Sequence, residues 1–158
     1  EQLAVYRKLH LFALMQEEKW LAAGEKPALA EAPWGRTALA ICYDLRFGEL
    51  FRHYALAGAE LALLPAMWPA ARSEHWNILL RARAIDNQMF IAAVNVTGEI
   101  GDETFSGGSA VIDPWGKPLL AADDRPALLT AELDMDTVAR TREKMPVLTD
   151  FRPQAYPL

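Results

Sequence analysis

The stretch Arg36-Thr37-Ala38-Leu39-Ala40-Ile41-Cys42-Tyr43-Asp44-Leu45-Arg46-Phe47 decides the fold. Thr37 to Ile41 is a run of small and apolar residues that leads into the only cysteine of the chain. Tyr43 to Arg46 is a polar turn. Phe47, Leu50, Phe51, Tyr54 and Gly58 then fall at helical spacing, with Gly58 as the stop. The pattern predicts strand, sharp turn and helix, with a thiol at the tip of the strand beside the N–H groups of the turn. Nucleophile elbows use that geometry. A free cysteine is also among the most buried residue types and often acts as a small hydrophobe. By itself the stretch leaves packing and catalysis both open.

Towards the carboxyl end, Glu60–Pro65 is a short apolar run without alternation, which predicts a buried parallel strand. Met67-Trp68-Pro69 is expected as the loop at its carboxyl end. Ser73 is placed as an N-cap with Glu74 in the first turn. Trp76, Leu79/Leu80, Arg83/Ala84 and Asn87 then mark one long amphipathic helix. Arg83 and Asn87 fall inside its apolar stripe and need partners, because buried polar groups are costly unpaired. Met89–Val96 reads as a strand, Gly98–Thr104 as a polar loop, and Ser109–Ile112 with Pro118–Ala121 as a hairpin around the Asp113–Lys117 turn. Leu128–Leu133 is expected as a further strand. Asp134 is expected to cap a helix to about Lys144. Residues 146–158 carry three prolines and read as an extended tail.

Towards the amino end, Ala28–Ala32 is a short strand and Leu11–Lys26 a structured loop or a short helix over Gln16–Ala22. Leu3–His10 reads as a strand with Lys8 near its end. The order of elements defines an α/β protein, parallel in its first half and closed by a hairpin in its second. The 158 residues suit one domain, and 52% hydrophobic content supports a sizeable core. A net charge of −5 without a Lys/Arg run argues against nucleic acid and anionic membrane as partners. No apolar run is long enough to span a bilayer. A single cysteine excludes an internal disulfide and fits a reducing compartment, so a cytoplasmic protein is expected. Glu1-Gln2 opens directly into a strand-like segment, which predicts a single domain over residues 1–158 that is incomplete at its amino end.

A thiol with a pKa of roughly 8.5 is mostly protonated at neutral pH, so Cys42 needs a base or a cation to act. His10, His53 and His75 carry no local signature of a Cys/His pair. No two His or Cys residues stand at ligand spacing, so neither a metal nor a cofactor is expected. Lys8 has two readings. On a parallel strand beside that of Cys42, its ammonium would lower the thiol pKa and stabilise an oxyanion. Otherwise it is a solvated strand-end lysine.

Taken together, Tyr6-Arg7-Lys8-Leu9-His10-Leu11-Phe12, Cys42-Tyr43-Asp44-Leu45-Arg46-Phe47, Arg81-Ala82-Arg83-Ala84-Ile85-Asp86-Asn87-Gln88 and Asp113-Pro114-Trp115-Gly116 resemble the carbon–nitrogen hydrolase (nitrilase) superfamily. The form around the cysteine is similar to the ω-amidase and YafV-like branch, and the likeness extends to Trp68-Pro69-Ala70 and Arg72-Ser73. The resemblance implies the C-terminal portion of a four-layer α-β-β-α sandwich with a mixed sheet. It implies that Cys42 is the nucleophile, Lys8 the catalytic lysine, Tyr43 N–H an oxyanion donor and Glu17 a second glutamate that orders the site, with Glu18 as the alternative for a shifted loop. The family's general-base glutamate would precede Lys8 by more residues than are present, so the chain alone is expected to be weakly active or inactive. Gly48 stands where the family usually has proline.

The implied reaction is hydrolysis of a small ω-amide of a dicarboxylic or 2-oxo acid through a cysteine thioester, with release of ammonia. Arg46 and Arg72 are candidates for a substrate carboxylate, and Trp68 for a pocket wall. A homodimer or higher homo-oligomer is implied, with the tail crossing to the partner and Trp115 and Phe151 in interface or core. The alternatives are a non-catalytic binding or assembly module and, among enzymes, an N-carbamoyl amino acid hydrolase or a nitrilase. A catalytic Cys42 would carry a lowered pKa, whereas a structural one would be inert.

Overall fold

The computed structural model describes residues 1–155. A six-stranded mixed sheet runs β1 (Ala28–Ala32), β2 (Gly35–Leu39), β3 (Leu61–Ala66), β4 (Phe90–Asn95), β7 (Ala110–Ile112) and β8 (Pro118–Ala121) in spatial order. β2, β3 and β4 are parallel, and the outer pairs β1/β2, β4/β7 and β7/β8 are antiparallel. Helices α1 (Gly48–Leu56) and α2 (Ser73–Asn87) follow β2 and β3 as the crossovers that parallel pairing demands. The four-residue strands β5 (Thr97–Ile100) and β6 (Glu103–Ser106) form a separate hairpin, and α3 (Asp136–Lys144) and α4 (Val147–Asp150) follow β8.

The main core lies between α1, α2 and one face of the sheet. Leu50, Phe51 and Tyr54 of α1 and Trp76, Leu80 and Ala84 of α2 pack on Ala38, Ala62, Leu64, Ile91 and Ala93. Small side chains on that face let the helices approach closely. Tyr54 fixes the position of α1: its hydroxyl donates to Leu39 O at 2.6 Å and accepts from Ala28 N–H at 3.1 Å. Gly58, at φ +87°, ends the helix and turns the chain into β3. On the opposite face α3 covers only the start of β3 and β4, where Val138 meets Leu61 and Phe90. Leu63 and Val94 beyond it are exposed. Glu60–Pro65 is therefore buried on one face along its length and on both faces only at its beginning.

Arg83 finds partners and so does the Asn87 amide nitrogen, whereas Asn87 Oδ1 is buried without one among the described residues. Arg83 donates to Leu45 O and Arg46 O, both at 3.0 Å, and Asn87 donates to Arg83 O. A Cβ at Gly48 would stand 3.1 Å from the Arg83 guanidinium, so the absence of a side chain there leaves that bridge its room. The Asp113–Lys117 turn forms with Asp113 Oδ1 accepting from Trp115 N–H and Lys117 N–H.

Several expectations are corrected. Leu3–His10 is not a strand; it is held by side-chain bonds described below rather than by a ladder. Of the two readings for Leu11–Lys26 the structured loop holds and the helix over Gln16–Ala22 does not, since only the 3-10 turns Ala13–Met15 and Glu17–Lys19 form there. Ser73 does not cap α2, because the 3-10 turn Ala70–Arg72 runs straight into it and no side chain caps the helix. Gly98–Thr104 belongs to the β5/β6 hairpin, which stands away from the main sheet and so shows no apolar alternation. Leu128–Leu133 is without a strand and Leu128 is almost fully exposed. Residues 146–155 are not simply extended, since α4 and the 3-10 turn Pro153–Ala155 lie there, and 156–158 fall outside the described residues.

Candidate active site

Cys42 opens the 3-10 turn Cys42–Arg46 just past the end of β2. Its φ is +48°, a left-handed conformation that non-glycine residues rarely adopt and that concentrates at functional sites. Asp44 closes the turn, accepting from Ile41 N–H through Oδ2 at 2.9 Å while its own N–H donates to Ile41 O. The sulfur lies 3.6 Å from Met67 O, in the loop at the end of β3. Asn95 holds that loop. Its Oδ1 accepts from Trp68 N–H at 2.7 Å, and its Nδ2 donates to Trp68 O and Gly107 O.

Lys8 reaches the site from an irregular segment, not from a neighbouring strand. It is buried, and its ammonium donates to both oxygens of Glu17, at 2.7 and 2.6 Å. Glu17 Oε2 also accepts from Phe12 N–H at 2.8 Å. Glu18 is exposed, so the register of the loop selects Glu17. Lys8, Glu17 and Cys42 line one open cavity of about 670 Å³ together with Trp20, Ile41 and Met67.

Burial pushes the Cys42 thiol above its ordinary pKa. The Lys8 ammonium and the backbone of Met67 and of Tyr43 pull it back, and Glu17 adds to the rise. The expectation of a lowered pKa is therefore reversed: desolvation outweighs the cation, whose charge Glu17 largely neutralises. At neutral pH the group is a thiol, and a proton acceptor is needed for attack. Both Glu17 oxygens already accept hydrogen bonds, and Glu17 is the sole carboxylate among the described residues lining the clefts at Cys42.

A second, narrow cleft also reaches Cys42 and is lined by Phe12, Tyr43, Arg46, Trp68 and Arg72. The Arg46 guanidinium sits 4.7 Å from the Trp68 ring and donates to His75 Nδ1 at 3.3 Å. Arg72 lies over the Phe12 ring and accepts from Trp68 Nε1 through its carbonyl. Trp68 is almost wholly buried against Trp76, so it forms the floor of this cleft more than a wall. Trp115 is remote from it, half exposed beneath the Lys144 ammonium, and Phe151 faces Arg52. Among the described residues no His/Cys/Asp/Glu group could hold a metal ion, and no helix is long and apolar enough to cross a membrane.

Asp44, Tyr6 and Asn95 were not singled out by the sequence, and His10 was weighed only as a partner for Cys42. An aspartate two residues after the cysteine, and an asparagine ending an otherwise apolar strand, were the available signals.

A cysteine strained at the tip of a parallel strand and faced by an ion-paired lysine defines an α/β protein of the thiol-elbow class. The chain matches the carbon-nitrogen hydrolase family over residues 1–143 and belongs to that family. It is 42% identical to a 2-oxoglutaramate amidase of Bacillus subtilis (strain 168) over 151 residues, which cover 96% of this chain and 58% of the relative. It is 34% identical to the human Omega-amidase NIT2 over 163 residues, covering 98% of this chain and 59% of the relative. A mutant of the amidase from Nesterenkonia sp. AN1, with the acetamide moiety of fluoroacetamide added covalently at its active-site cysteine, superposes with a TM-score of 0.84 at 30% identity, over 98% of this chain and 55% of that one. The chain thus spans somewhat over half the length of these relatives.

Proposed function

We propose that this chain carries the nucleophile and oxyanion elements of an amidase that hydrolyses ω-amides of small dicarboxylic or 2-oxo acids through a thioester on Cys42. The observation that carries the reading is the strained Cys42 facing the Lys8–Glu17 pair across one cavity. The relatives named for 2-oxoglutaramate and ω-amides support the substrate class.

In this mechanism the thiol loses its proton to a carboxylate and the sulfur attacks the amide carbonyl. The Lys8 ammonium and Tyr43 N–H stabilise the oxyanion, a contribution of about 3–4 kcal/mol per donor. The C–N bond breaks, the amine takes the proton and leaves as ammonia, and water cleaves the thioester to the acid and the free thiol. Glu17 orients Lys8 and is not the proton acceptor, because its oxygens are engaged. No described residue lining the site fills that role, so the chain alone turns over slowly. The other reading of the sequence, a binding or assembly module that keeps the fold, has no support in the names of these relatives.

Fluoroacetamide separates the two. Intact mass should show one acetamide moiety on the chain, absent from Cys42→Ala; an unmodified wild-type chain overturns the amidase reading. Ammonia release from succinamate or 2-oxoglutaramate, set beside N-carbamoyl amino acids and nitriles, assigns the substrate, and rapid turnover would refute the slow-chain claim. Homodimerisation and a cytoplasmic location belong to the same proposal. Sedimentation tests the first, and the unpaired thiol suits the second.

A further inference from the structure

The Lys8 segment has no strand partner, yet Lys8 is buried at the thiol. Its anchor is Asp44, fully buried in the elbow itself. Asp44 Oδ2 accepts from the Tyr6 hydroxyl at 2.7 Å, and Oδ1 accepts from His10 N–H at 3.0 Å and lies 2.8 Å from His10 Nδ1. Tyr6 and His10 stand two residues before and two residues after Lys8. One carboxylate therefore grips the segment on both sides of the lysine, across 34 to 38 positions of sequence. The His10 ring also stacks on Phe47, at the exit of the same turn, with centroids 3.5 Å apart. Burial and the Asp44 carboxylate raise the Tyr6 pKa, so the hydroxyl remains a donor throughout the working pH range.

We propose that Asp44 is a positioning residue: its carboxylate clasps Tyr6 and His10 and so holds the Lys8 ammonium against the Cys42 thiol. A substitution cannot preserve the clasp with an amide. Each Asp44 oxygen faces a backbone N–H, Ile41 on one side and His10 on the other, so either orientation of asparagine turns its NH₂ towards a donor. The inference rests on Lys8 and Cys42 being the working pair, and its test reads the thiol directly rather than turnover.

The test is the rate of Cys42 alkylation by iodoacetamide as a function of pH, well below the melting temperature. Since one pKa unit is tenfold in thiolate, Asp44→Asn should slow alkylation about tenfold near neutral pH and Tyr6→Phe about threefold, both shifting the profile to higher pH. Lys8→Met should do the same, and adding Asp44→Asn to it should change little further. A purely structural Asp44 would lower Tm and leave the pH profile in place, which overturns the proposal. So does a slowing by Asp44→Asn that persists undiminished beside Lys8→Met, because Asp44 would then act on the elbow and not through Lys8. An unchanged profile in Lys8→Met alone defeats the underlying pair instead. If Asp44→Asn does not fold, Tyr6→Phe carries the test, since it keeps the Ile41 bond, and an unaltered Tyr6→Phe profile overturns the clasp.

Discussion

Glu17 holds both of its carboxylate oxygens against the Lys8 ammonium, at 2.7 and 2.6 Å. A cation so neutralised is fixed in place but contributes less field to the thiol than a free one. The arrangement favours an oxyanion that appears only during reaction over a thiolate in the resting protein. It also explains how a lysine can be buried in a wall of the cavity.

The first consequence concerns stability. Lys8 is 7% and Glu17 21% exposed in their side chains, so Glu17→Gln strands a buried ammonium. Allowing for the partial exposure of Glu17, the loss should be about 2–3 kcal/mol. The urea midpoint of the variant measures it, and an unchanged midpoint would show that water replaces the carboxylate without penalty.

The raised Cys42 pKa sets a pH dependence. The folded protein keeps the thiol proton where the unfolded chain, at roughly 8.5, has lost it. This stabilisation is fully present below that value and disappears as pH rises through the folded pKa. Wild type should therefore lose more of its urea midpoint between about pH 8 and pH 10 than Cys42→Ala does. Parallel midpoints would contradict the assigned burial.

Asn95 secures the Met67–Trp68 loop with three side-chain hydrogen bonds. Asn95→Leu leaves the two Trp68 backbone groups and Gly107 O unsatisfied. Unfolding should become easier by about 2–4 kcal/mol. Near-UV circular dichroism should change as well, because the Trp68 ring packs against Trp76 at a tilt of 49°.

The two arginines can be tested without turnover. If the narrow cleft takes a carboxylate, succinate should protect Cys42 from alkylation in the wild-type chain. Arg46→Gln should weaken that protection about tenfold, the effect of losing a charge-assisted hydrogen bond. Arg72→Ala tests its partner in the same assay, and unaltered protection would remove Arg72 from the pocket.

The elbow, the parallel strands and the two crossover helices were legible because apolar runs and helical spacing mark them directly. Ala28–Ala32 and Pro118–Ala121 were read to the residue. The Lys8 segment was not, because Val5 and Tyr6 suit a strand by type, while the real partners are one distant carboxylate and a loop. Contacts of that kind leave no periodicity. The β5/β6 hairpin escaped for a related reason, since Phe105 is its only buried side chain among the described residues and a single apolar anchor shows no alternation. Cys42 and Lys8 were candidates from the residues alone, resemblance chose between their two readings, and the bidentate role of Glu17 showed only in the fold.

The left-handed backbone at Cys42 has a further meaning for which residue the position prefers. In an ordinary helical or extended site alanine is more stable than glycine by roughly 0.5–1 kcal/mol. At φ +48° that order should invert, because a β-carbon there works against about 1 kcal/mol of steric strain. Comparing the unfolding midpoints of Cys42→Gly and Cys42→Ala would reveal the inversion. The thiol is thus held where a bare backbone would rest more easily.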